Sequence, residues 1–279
     1  MLEEKMRQEL NERARAIREN VVRMIGVGKA GHIGGSCSMA EITAVLYFYK
    51  MRHDPKNPRM RDRDRFILSK GHAALVQYAA LMECGYFDKE SSIRTLKCLG
   101  SSLQGHPDMR KLPGIEANTG SLGQGVSLAS GMAAGLRLNG IDAKVYVAVG
   151  DGELAEGQIW EALLSAAKFR LDNLRVIIDR NGLQATGRTE ERFPIGSIEE
   201  KLRAFGLETI TADGHDVGAL AAAFDRADEI KGKPTAIVAD TVKGKGIPFA
   251  EGEAGYHNKA LTQEQYEEAL SALKKGGIA

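Results

Sequence analysis

Apolar positions near the start of the chain recur with helical spacing. Five of them fall three or four residues apart between charged residues: Leu10, Ala14, Ile17, Val21 and Met24. This periodicity predicts an amphipathic helix over residues 2–25. A glycine-rich turn is expected at residues 26–35, followed by a second, apolar helix at 38–50. Ser38 and Glu41 stand three positions apart, which is typical of a capping box at a helix start.

Short apolar runs alternate with helical patterns through the rest of the chain. The predicted strands span residues 66–69, 143–149, 174–179, 207–211 and 235–241. The predicted helices span residues 73–84, 121–138, 155–169, 197–205, 215–230 and 262–274. Such alternation predicts an α/β fold in which helices cover both faces of a parallel sheet. Right-handed crossovers would then place functional loops at the carboxyl ends of the strands.

The chain is predicted to form one such domain, residues 1–250, followed by a C-terminal tail, residues 251–279, with a single helix. Residues 91–118 show no clear period and are expected to form a loop with short helices. Capping boxes are expected at two further helix starts, formed by Ser197 with Glu200 and by Thr262 with Gln265.

Charge and cysteine content exclude several classes of function. The formal net charge is +1, from 38 basic and 37 acidic residues, so neither nucleic acid nor a membrane surface is expected as a partner. The three cysteines are odd in number and form no C-x-x-C motif, which argues against a disulfide framework or zinc site and favours the reducing cytoplasm. The first 23 residues contain no apolar signal region, and no apolar run reaches the length of a membrane span.

Polar residues follow two consecutive predicted strands. Gly150-Asp151-Gly152-Glu153 follows the first, and Asp179-Arg180-Asn181-Gly182 follows the second. Asp151 and Asn181 lie 30 positions apart (181 − 151), a separation that one helix fills. Neighbouring strand ends would bring their oxygens to one crevice, where Mg²⁺ and a phosphate could bind beside glycine backbone and helix amides. Either segment alone is more often a simple turn, but the pair at matching strand ends favours a metal site.

Three histidines follow a glycine in loop-like segments: His32, His72 and His106. A single loop histidine is more often structural than catalytic. Three of them together with a phosphate-binding motif favour proton transfer, because imidazole exchanges protons near neutral pH. Of the others, His53 is expected in a loop and His215 near a helix cap, and neither is assigned a catalytic role.

These segments resemble transketolase. The matching blocks, in the family's order, are Gly31-His32 with Gly34-Gly35, Ser69-Lys70-Gly71-His72-Ala73, Gly105-His106-Pro107, Thr119-Gly120-Ser121-Leu122-Gly123-Gln124-Gly125, and Thr241-Val242-Lys243-Gly244-Lys245-Gly246 followed by Tyr256-His257. Gly-Asp-Gly with an asparagine about 30 residues later is similar to the thiamine diphosphate signature. The family often has Asn-Asn where this chain has Arg180-Asn181.

The resemblance implies a thiamine diphosphate site with Mg²⁺, for which Ca²⁺ or Mn²⁺ would be substitutes. The implied metal ligands are the side chains of Asp151 and Asn181 and the backbone carbonyl of Leu183. The implied cofactor-binding residues are His72, Gly120, Ser121, Leu122, Gly150, Asp151, Gly152, Glu153, Asn181, Leu183 and His257. The implied catalytic residues are His32, His72, His106, His257 and Glu156, the last reaching toward a cofactor-activating glutamate of another domain. A plain surface role on its helix is the alternative for Glu156.

The activity that the resemblance implies is ketol transfer. A two-carbon unit would pass from a ketose, by default a sugar phosphate of the pentose phosphate pathway, to an aldose acceptor, with the cofactor as electron sink. The family's second domain is missing from the chain, so we expect an α2β2 heterotetramer with a separate C-terminal subunit. Helices 38–50 and 121–138 are candidate contact surfaces for that subunit. A sulfo-sugar or another modified ketose is equally compatible with the motifs.

Three other functions fit part of the pattern. The α subunit of a 2-oxo acid dehydrogenase would share the metal motif but not the Gly-His segments. A nicotinamide-dependent oxidoreductase would use the Gly26-x-Gly28-x-x-Gly31 motif, which here follows a predicted helix instead of a strand. A non-catalytic module that binds thiamine diphosphate would not require the histidines.

Overall fold

A parallel sheet of five strands forms the centre of the molecule. The computed structural model describes residues 2–275, so Met1 and residues 276–279, the outer ends of the predicted domain and tail, lie outside the described residues. In chain order the strands are β1 (Ala30–Gly31), β2 (Arg65–Leu68), β3 (Val145–Gly150), β4 (Leu174–Arg180), β5 (Leu183–Gln184), β6 (Gly187–Arg188), β7 (Glu208–Asp213), β8 (Thr235–Asp240) and β9 (Lys259–Ala260). The α-helices are α1 (Glu4–Ile25), α2 (Ile33–Cys37), α3 (Ala40–Val45), α4 (Ala74–Cys84), α5 (Lys89–Thr95), α6 (Gln124–Leu138), α7 (Gly157–Lys168), α8 (Thr189–Arg192), α9 (Ile198–Ala204), α10 (Val217–Glu229) and α11 (Gln263–Lys275).

The central sheet has the strand order β2-β3-β4-β8-β7, and every neighbouring pair is parallel. The predicted fold class is therefore confirmed. The register aligns Gly150, the last residue of β3, with Asp179 of β4. The loops after these two strands consequently leave the sheet side by side.

Two hydrophobic cores cover the two faces of the sheet. One joins α1, α3, α4, α10 and α11 to strand residues such as Tyr146 and Ile177, and the other joins α6, α7 and α9 to residues such as Val147 and Val176. Successive side chains of a strand point to opposite faces, so adjacent residues enter different cores. This explains why the strands of the sequence are continuously apolar instead of alternating.

The predicted helix at 38–50, opened by a capping box, is wrong at its start. Helix α2 already begins at Ile33, a break separates it from α3, and a π-helical turn at Leu46–Lys50 follows. The Ser38 hydroxyl caps no helix and instead donates a hydrogen bond to the Asp179 carboxylate at 2.8 Å. Because Asp179 is fully buried, its requirement for donors outweighs the local capping preference.

The other two predicted caps are present. The Ser197 hydroxyl accepts a hydrogen bond from the Glu200 amide at 3.2 Å. Thr262 and Gln265 bond reciprocally, each side chain accepting from the other's amide at 3.2 Å. Within residues 2–275, no helix combines the length and the apolar character needed to cross a membrane.

The two ends of the described chain meet beside the sheet. β1 pairs with β9 in antiparallel register, Ala30 opposite Ala260 and Gly31 opposite Lys259. Helix α11 packs against α1 over the same region. Because β1 immediately precedes His32 and β9 follows soon after His257, this pairing brings two distant histidine segments together.

Candidate active site

The loops after β3 and β4 are joined by the Asp151 side chain. One carboxylate oxygen accepts hydrogen bonds from the Gly182 amide at 2.8 Å and from the Thr189 hydroxyl at 3.1 Å. The other accepts from the amide of the next residue in its own loop at 2.9 Å. On the facing loop, Asn181 Oδ1 accepts from the Leu183 amide at 3.1 Å. The two polar segments of the sequence thus form one continuous structure.

Asp151 is a buried carboxylate surrounded by neutral donors. It is 4% exposed, and its hydrogen bonds within the described residues come from backbone amides and one hydroxyl. Burial and the nearby Asp179 carboxylate raise its pKa. A bound cation would offset both effects, so the electrostatics of this position suit a metal ion.

The predicted metal ligands present oxygen atoms only: a carboxylate from Asp151, an amide from Asn181 and a carbonyl from Leu183. Such a set suits a hard cation such as Mg²⁺. Within residues 2–275, no group of three or more His, Cys, Asp or Glu side chains is arranged to bind a metal. The Leu183 carbonyl accepts a hydrogen bond from Lys243 Nζ at 2.8 Å. The buried ammonium group of Lys243 therefore lies next to the predicted metal ligands.

Four of the six histidines form a cluster beside these loops. The ring centroid of His32 lies 5.3 Å from that of His72, 6.2 Å from that of His106 and 5.2 Å from that of His257. The rings of His72 and His257 are 4.9 Å apart, and Lys243 Nζ lies 3.0 Å from His257 Nδ1. Four segments spread over 225 positions (257 − 32) thus converge on one centre.

The cluster favours neutral imidazoles. Burial, followed by the positive charges of Lys97 and other neighbours, lowers the pKa of His32 to about 4. Burial and the charge of Lys243 lower the pKa of His257 to about 4, and burial with Lys70 lowers that of His72 to about 2. Burial also lowers the pKa of His106. Each ring can therefore accept a proton or a hydrogen bond at neutral pH.

A buried ion pair lies next to the histidine cluster. Lys70 Nζ bonds to the Asp179 carboxylate and to the Gly35 carbonyl, and both charged residues are at most 2% exposed. Asp179 also accepts from Ser38, from the Thr241 hydroxyl and from the Asn181 amide nitrogen at 2.9 Å. The last bond fixes the amide orientation of Asn181.

Sequence reasoning gave Lys70, Asp179 and Lys243 no role. Lys70 and Lys243 each precede a glycine in a block that resembles the family, and Asp179 stands two positions before the predicted ligand Asn181. A buried lysine in a glycine-rich block would have been a usable signal, since a lysine that is removed from water needs a partner. The partners themselves are 109 and 60 positions away, which spacing along the chain does not reveal.

Close approach of loops explains two glycines of the site. Gly120 has φ +133°, and a Cβ there would lie 2.4 Å from the His106 ring. A Cβ on Gly152 would lie 2.6 Å from the Gln184 side chain. Beside these glycines, Thr119 Oγ1 and Gln184 Nε2 are buried and have no hydrogen-bond partner among the described residues. A buried hydroxyl and a buried amide nitrogen without partners are what we expect of a site that binds a polar ligand.

The two predicted glutamates lie in different surroundings. Glu153 is 3% exposed and accepts hydrogen bonds from the Ser69 hydroxyl and from the Gly123 and Gly150 amides, so its carboxylate braces protein backbone. Glu156, at the start of α7, is exposed. Ser121 is also exposed, whereas Leu122 is partly buried. Glu156 is therefore free to face another molecule.

The remaining polar residues considered from the sequence lie outside the cluster. The guanidinium of Arg180, the departure from Asn-Asn, pairs with Asp240 and Glu199 and leaves the Asn181 position intact. His53 bonds to the Tyr86 hydroxyl and the Tyr47 carbonyl away from the site. His215 lies next to a helix start, but the capping side chain is its neighbour Asp216.

Comparisons with known proteins identify the family of this chain. Residues 10–275 match the family model described as transketolase, thiamine diphosphate binding domain. The 6-deoxy-6-sulfo-D-fructose transketolase subunit SqwG of Clostridium sp. (strain MSTE9) is 43% identical over 96% of this chain and 98% of its own length. One subunit of the apulose-4-phosphate transketolase of Phocaeicola vulgatus is 41% identical over 92% of this chain and 91% of its own length.

The fold is similar to solved transketolases over nearly its whole length. The transketolase of Campylobacter jejuni superposes with a TM-score of 0.88 and 31% identity, covering 98% of this chain. This chain spans only 43% of that longer protein, whereas it matches the two subunits above almost end to end. By its match to the family model, its similarity to these subunits and the similarity of its fold, the chain belongs to the transketolase family, as a thiamine diphosphate-binding domain of the subunit type.

Proposed function

We propose that this protein is the N-terminal subunit of a split transketolase that transfers a two-carbon ketol unit with thiamine diphosphate and Mg²⁺. The observation that carries the proposal is the convergence of four histidine rings next to an oxygen-only ligand set. A fold of this kind without catalytic function would not need the four rings. The free cysteines at positions 37, 84 and 98 fit a cytoplasmic enzyme.

Asp151, Asn181 and the Leu183 carbonyl would hold the metal ion. Lys243, His72 and His257 lie beside that set and would bind the diphosphate oxygens, because an ammonium group and imidazole N–H groups are suitable donors to phosphate. Gly120 and Leu122 would lie along the organic rings of the cofactor. When bound, the cofactor supplies the electron sink that ketol transfer requires.

His32 and His106 would bind the hydroxyl groups of the sugar and move protons at them. Their ring centroids lie 6.2 Å apart, and the low pKa values keep both rings unprotonated before the sugar binds. A neutral imidazole can take a hydroxyl proton and return it later. Proton transfer by a positioned group contributes about 10²- to 10⁴-fold to rate.

The donor is proposed to be an anionic ketose that carries a phosphate or a sulfonate. The relatives above are named for 6-deoxy-6-sulfo-D-fructose and for apulose-4-phosphate. A modified-sugar pathway is therefore favoured over the pentose phosphate pathway. We expect residues outside the histidine cluster to bind the phosphate or sulfonate group of the donor sugar.

The partner is proposed to be a separate C-terminal subunit that completes the site, in an α2β2 assembly. The relatives of matching length are named as subunits, and the longer transketolase of Campylobacter jejuni is more than twice as long as this chain. Leu128 on α6 and Leu164 on α7 are exposed apolar side chains, the two helices pack against each other, and Glu156 directly precedes α7. The exposed side of these two helices is the expected contact area for the partner.

The proposal is tested by assaying ketol transfer with the chain alone, with a co-expressed candidate partner, and with His106→Ala in the same complex. Only the complex is expected to turn over, and His106→Ala should lower kcat/KM by about 10²-fold while thiamine diphosphate affinity stays unchanged. The variant Cys98→Ala, at an exposed position whose thiol bonds to the Arg94 carbonyl, is the control. Full activity of the chain alone, or 2-oxo acid decarboxylation in place of ketol transfer, would contradict the proposal.

A further inference from the structure

Four consecutive residues between β8 and β9 are each anchored to a different part of the molecule. Thr241 bonds through its hydroxyl to Asp179 and through its amide to the Arg180 carbonyl. Lys243 bonds to the Leu183 carbonyl and to His257. The Gly244 amide donates to the Gly34 carbonyl at 2.9 Å. The remaining residue, Val242, has its amide bound by the side chain of His215 at 2.8 Å.

The hydrogen bonds of His215 define its tautomer. Nε2 accepts a hydrogen bond from the Val242 amide, so Nε2 itself carries no proton. Nδ1 lies 3.0 Å from a Glu41 carboxylate oxygen, and a neutral ring must therefore donate Nδ1–H to it. The ring thus links a carboxylate on α3 to the backbone of the lysine segment.

Glu41 is itself fixed from a third element. Its carboxylate pairs with Arg18 of α1, and the side chains of Glu41 and Arg18 are 8% and 9% exposed. Arg18 Nε also donates to the Cys37 carbonyl at 3.2 Å. Arg18, Glu41 and His215 form a continuous chain of polar contacts from α1 to Val242. We name it the His215 anchor.

We propose that His215 is a positioning residue of the cofactor site, which fixes the Lys243 ammonium through the Val242 amide. Lys243 is the one residue of the segment whose side chain bonds both to a predicted metal-ligand loop and to a clustered histidine. A freed Val242 amide would let the segment shift, and a shift of the backbone moves the ammonium off both partners. The inference rests on the proposed function, since the effect is expressed at the diphosphate.

Two amide substitutions separate the two ring nitrogens of His215. In His215→Gln the terminal amide occupies the Nε2 position and can still accept from Val242. In His215→Asn the shorter amide occupies the Nδ1 position, keeps the Glu41 contact and loses Val242. Both replacements are neutral and polar, and each keeps one of the two contacts of the ring while losing the other.

Thiamine diphosphate with Mg²⁺ is titrated into each variant in the complex with its partner subunit. His215→Asn should weaken binding about three- to tenfold, the range for one lost hydrogen bond, with kcat at saturating cofactor unchanged. His215→Gln should bind within about twofold of the unaltered protein. Lys245→Gln, at a partly exposed lysine of the same loop whose ammonium pairs with Glu251 at 3.6 Å, is the control and should bind normally.

Amide hydrogen exchange of the chain alone gives a readout that needs neither cofactor nor partner. Exchange across residues 241–244 should be faster in His215→Asn and unchanged in His215→Gln. If the unaltered complex binds no thiamine diphosphate, the proposed function fails while the exchange experiment still decides on the anchor. Equal exchange and equal cofactor affinity in the two variants, or an affinity loss that merely follows a lower melting temperature, would overturn the inference.

Discussion

The two ends of β4 bury charge in opposite ways. At the amino end, the Asp228 carboxylate is surrounded by cations, with Lys50 Nζ at 2.8 Å, Lys144 Nζ at 2.9 Å and an Arg175 nitrogen at 3.5 Å. At the carboxyl end, Asp151 is bound by neutral N–H and O–H groups. Asp151 is buried and Asp228 is partly buried, but only Asp228 is compensated by positive charges of the protein.

The pKa values report the same contrast. Burial raises the pKa of Asp228, but hydrogen bonds from Lys50 and Lys144 outweigh it and the net shift is downward. The pKa of Asp151 is raised by burial and by Asp179. Breaking a compensated ion pair destabilises the fold, whereas an uncompensated charge is a cost that a ligand can remove. The amino end of β4 is therefore structural, whereas its carboxyl end is suited to binding a ligand.

The largest expected effect is on the binding end. The double substitution Asp151→Ala with Asn181→Ala removes two of the three proposed metal ligands. Thiamine diphosphate affinity in the presence of Mg²⁺ should fall by more than the roughly 10- to 100-fold that loss of an outer partner costs. Calorimetric titration of the assembled complex measures this. Unaltered cofactor affinity would remove the basis for assigning the site.

The second effect is on the structural end. Asp228→Ala leaves three cations without their shared partner and should lower the free energy of unfolding by about 1–3 kcal/mol, below the fully buried range because Asp228 is 26% exposed. Cofactor affinity should be unaffected. Urea denaturation checks the first statement, and Asp225→Ala, at a more exposed carboxylate, is the control. If Asp228→Ala weakened cofactor binding as much as the double substitution, the two ends would not be separate.

The smallest effect is a pH dependence at the binding end. His32 has an ordinary pKa of 6.5 when unfolded and one of about 4 in the fold, chiefly because of burial. Between these values the unfolded chain binds more protons, so stability falls as the pH falls through this window. His32→Gln removes this contribution. Between pH 6.5 and 4.5, the melting temperature of the variant should therefore fall by about 2 °C less than that of the unaltered protein. Above pH 7 the plots of melting temperature against pH should run parallel for the two proteins. Equal losses of melting temperature at low pH would contradict the lowered pKa of His32.

The sheet and its site loops could be predicted because their signals are local. Continuous apolar runs mark β3 and β4, and parallel topology brings the ends of neighbouring strands together. Asp151 and Asn181 can therefore be assigned to one crevice from the sequence alone. The roles of the four histidines came from resemblance to a family, not from spacing, since nothing in the sequence measures the distance between residues 32 and 257.

What could not be predicted depends on contacts across the fold. Ser38 looks like a helix cap, but its hydroxyl is used by Asp179, 141 positions away. The sequence places His215 only near a helix start, although its ring joins α3 to the segment after β8. In both cases a buried polar group required a partner, and only the tertiary arrangement identifies it.

The pairing of β1 with β9 has a consequence for how the protein responds to heat. Two short strands make few contacts, and segments of this kind open at lower free energy than the strands of a central sheet. When they separate, His32 and His257 are no longer held to a common frame. Catalytic competence is therefore expected to disappear by local fraying while the hydrophobic interior is still intact.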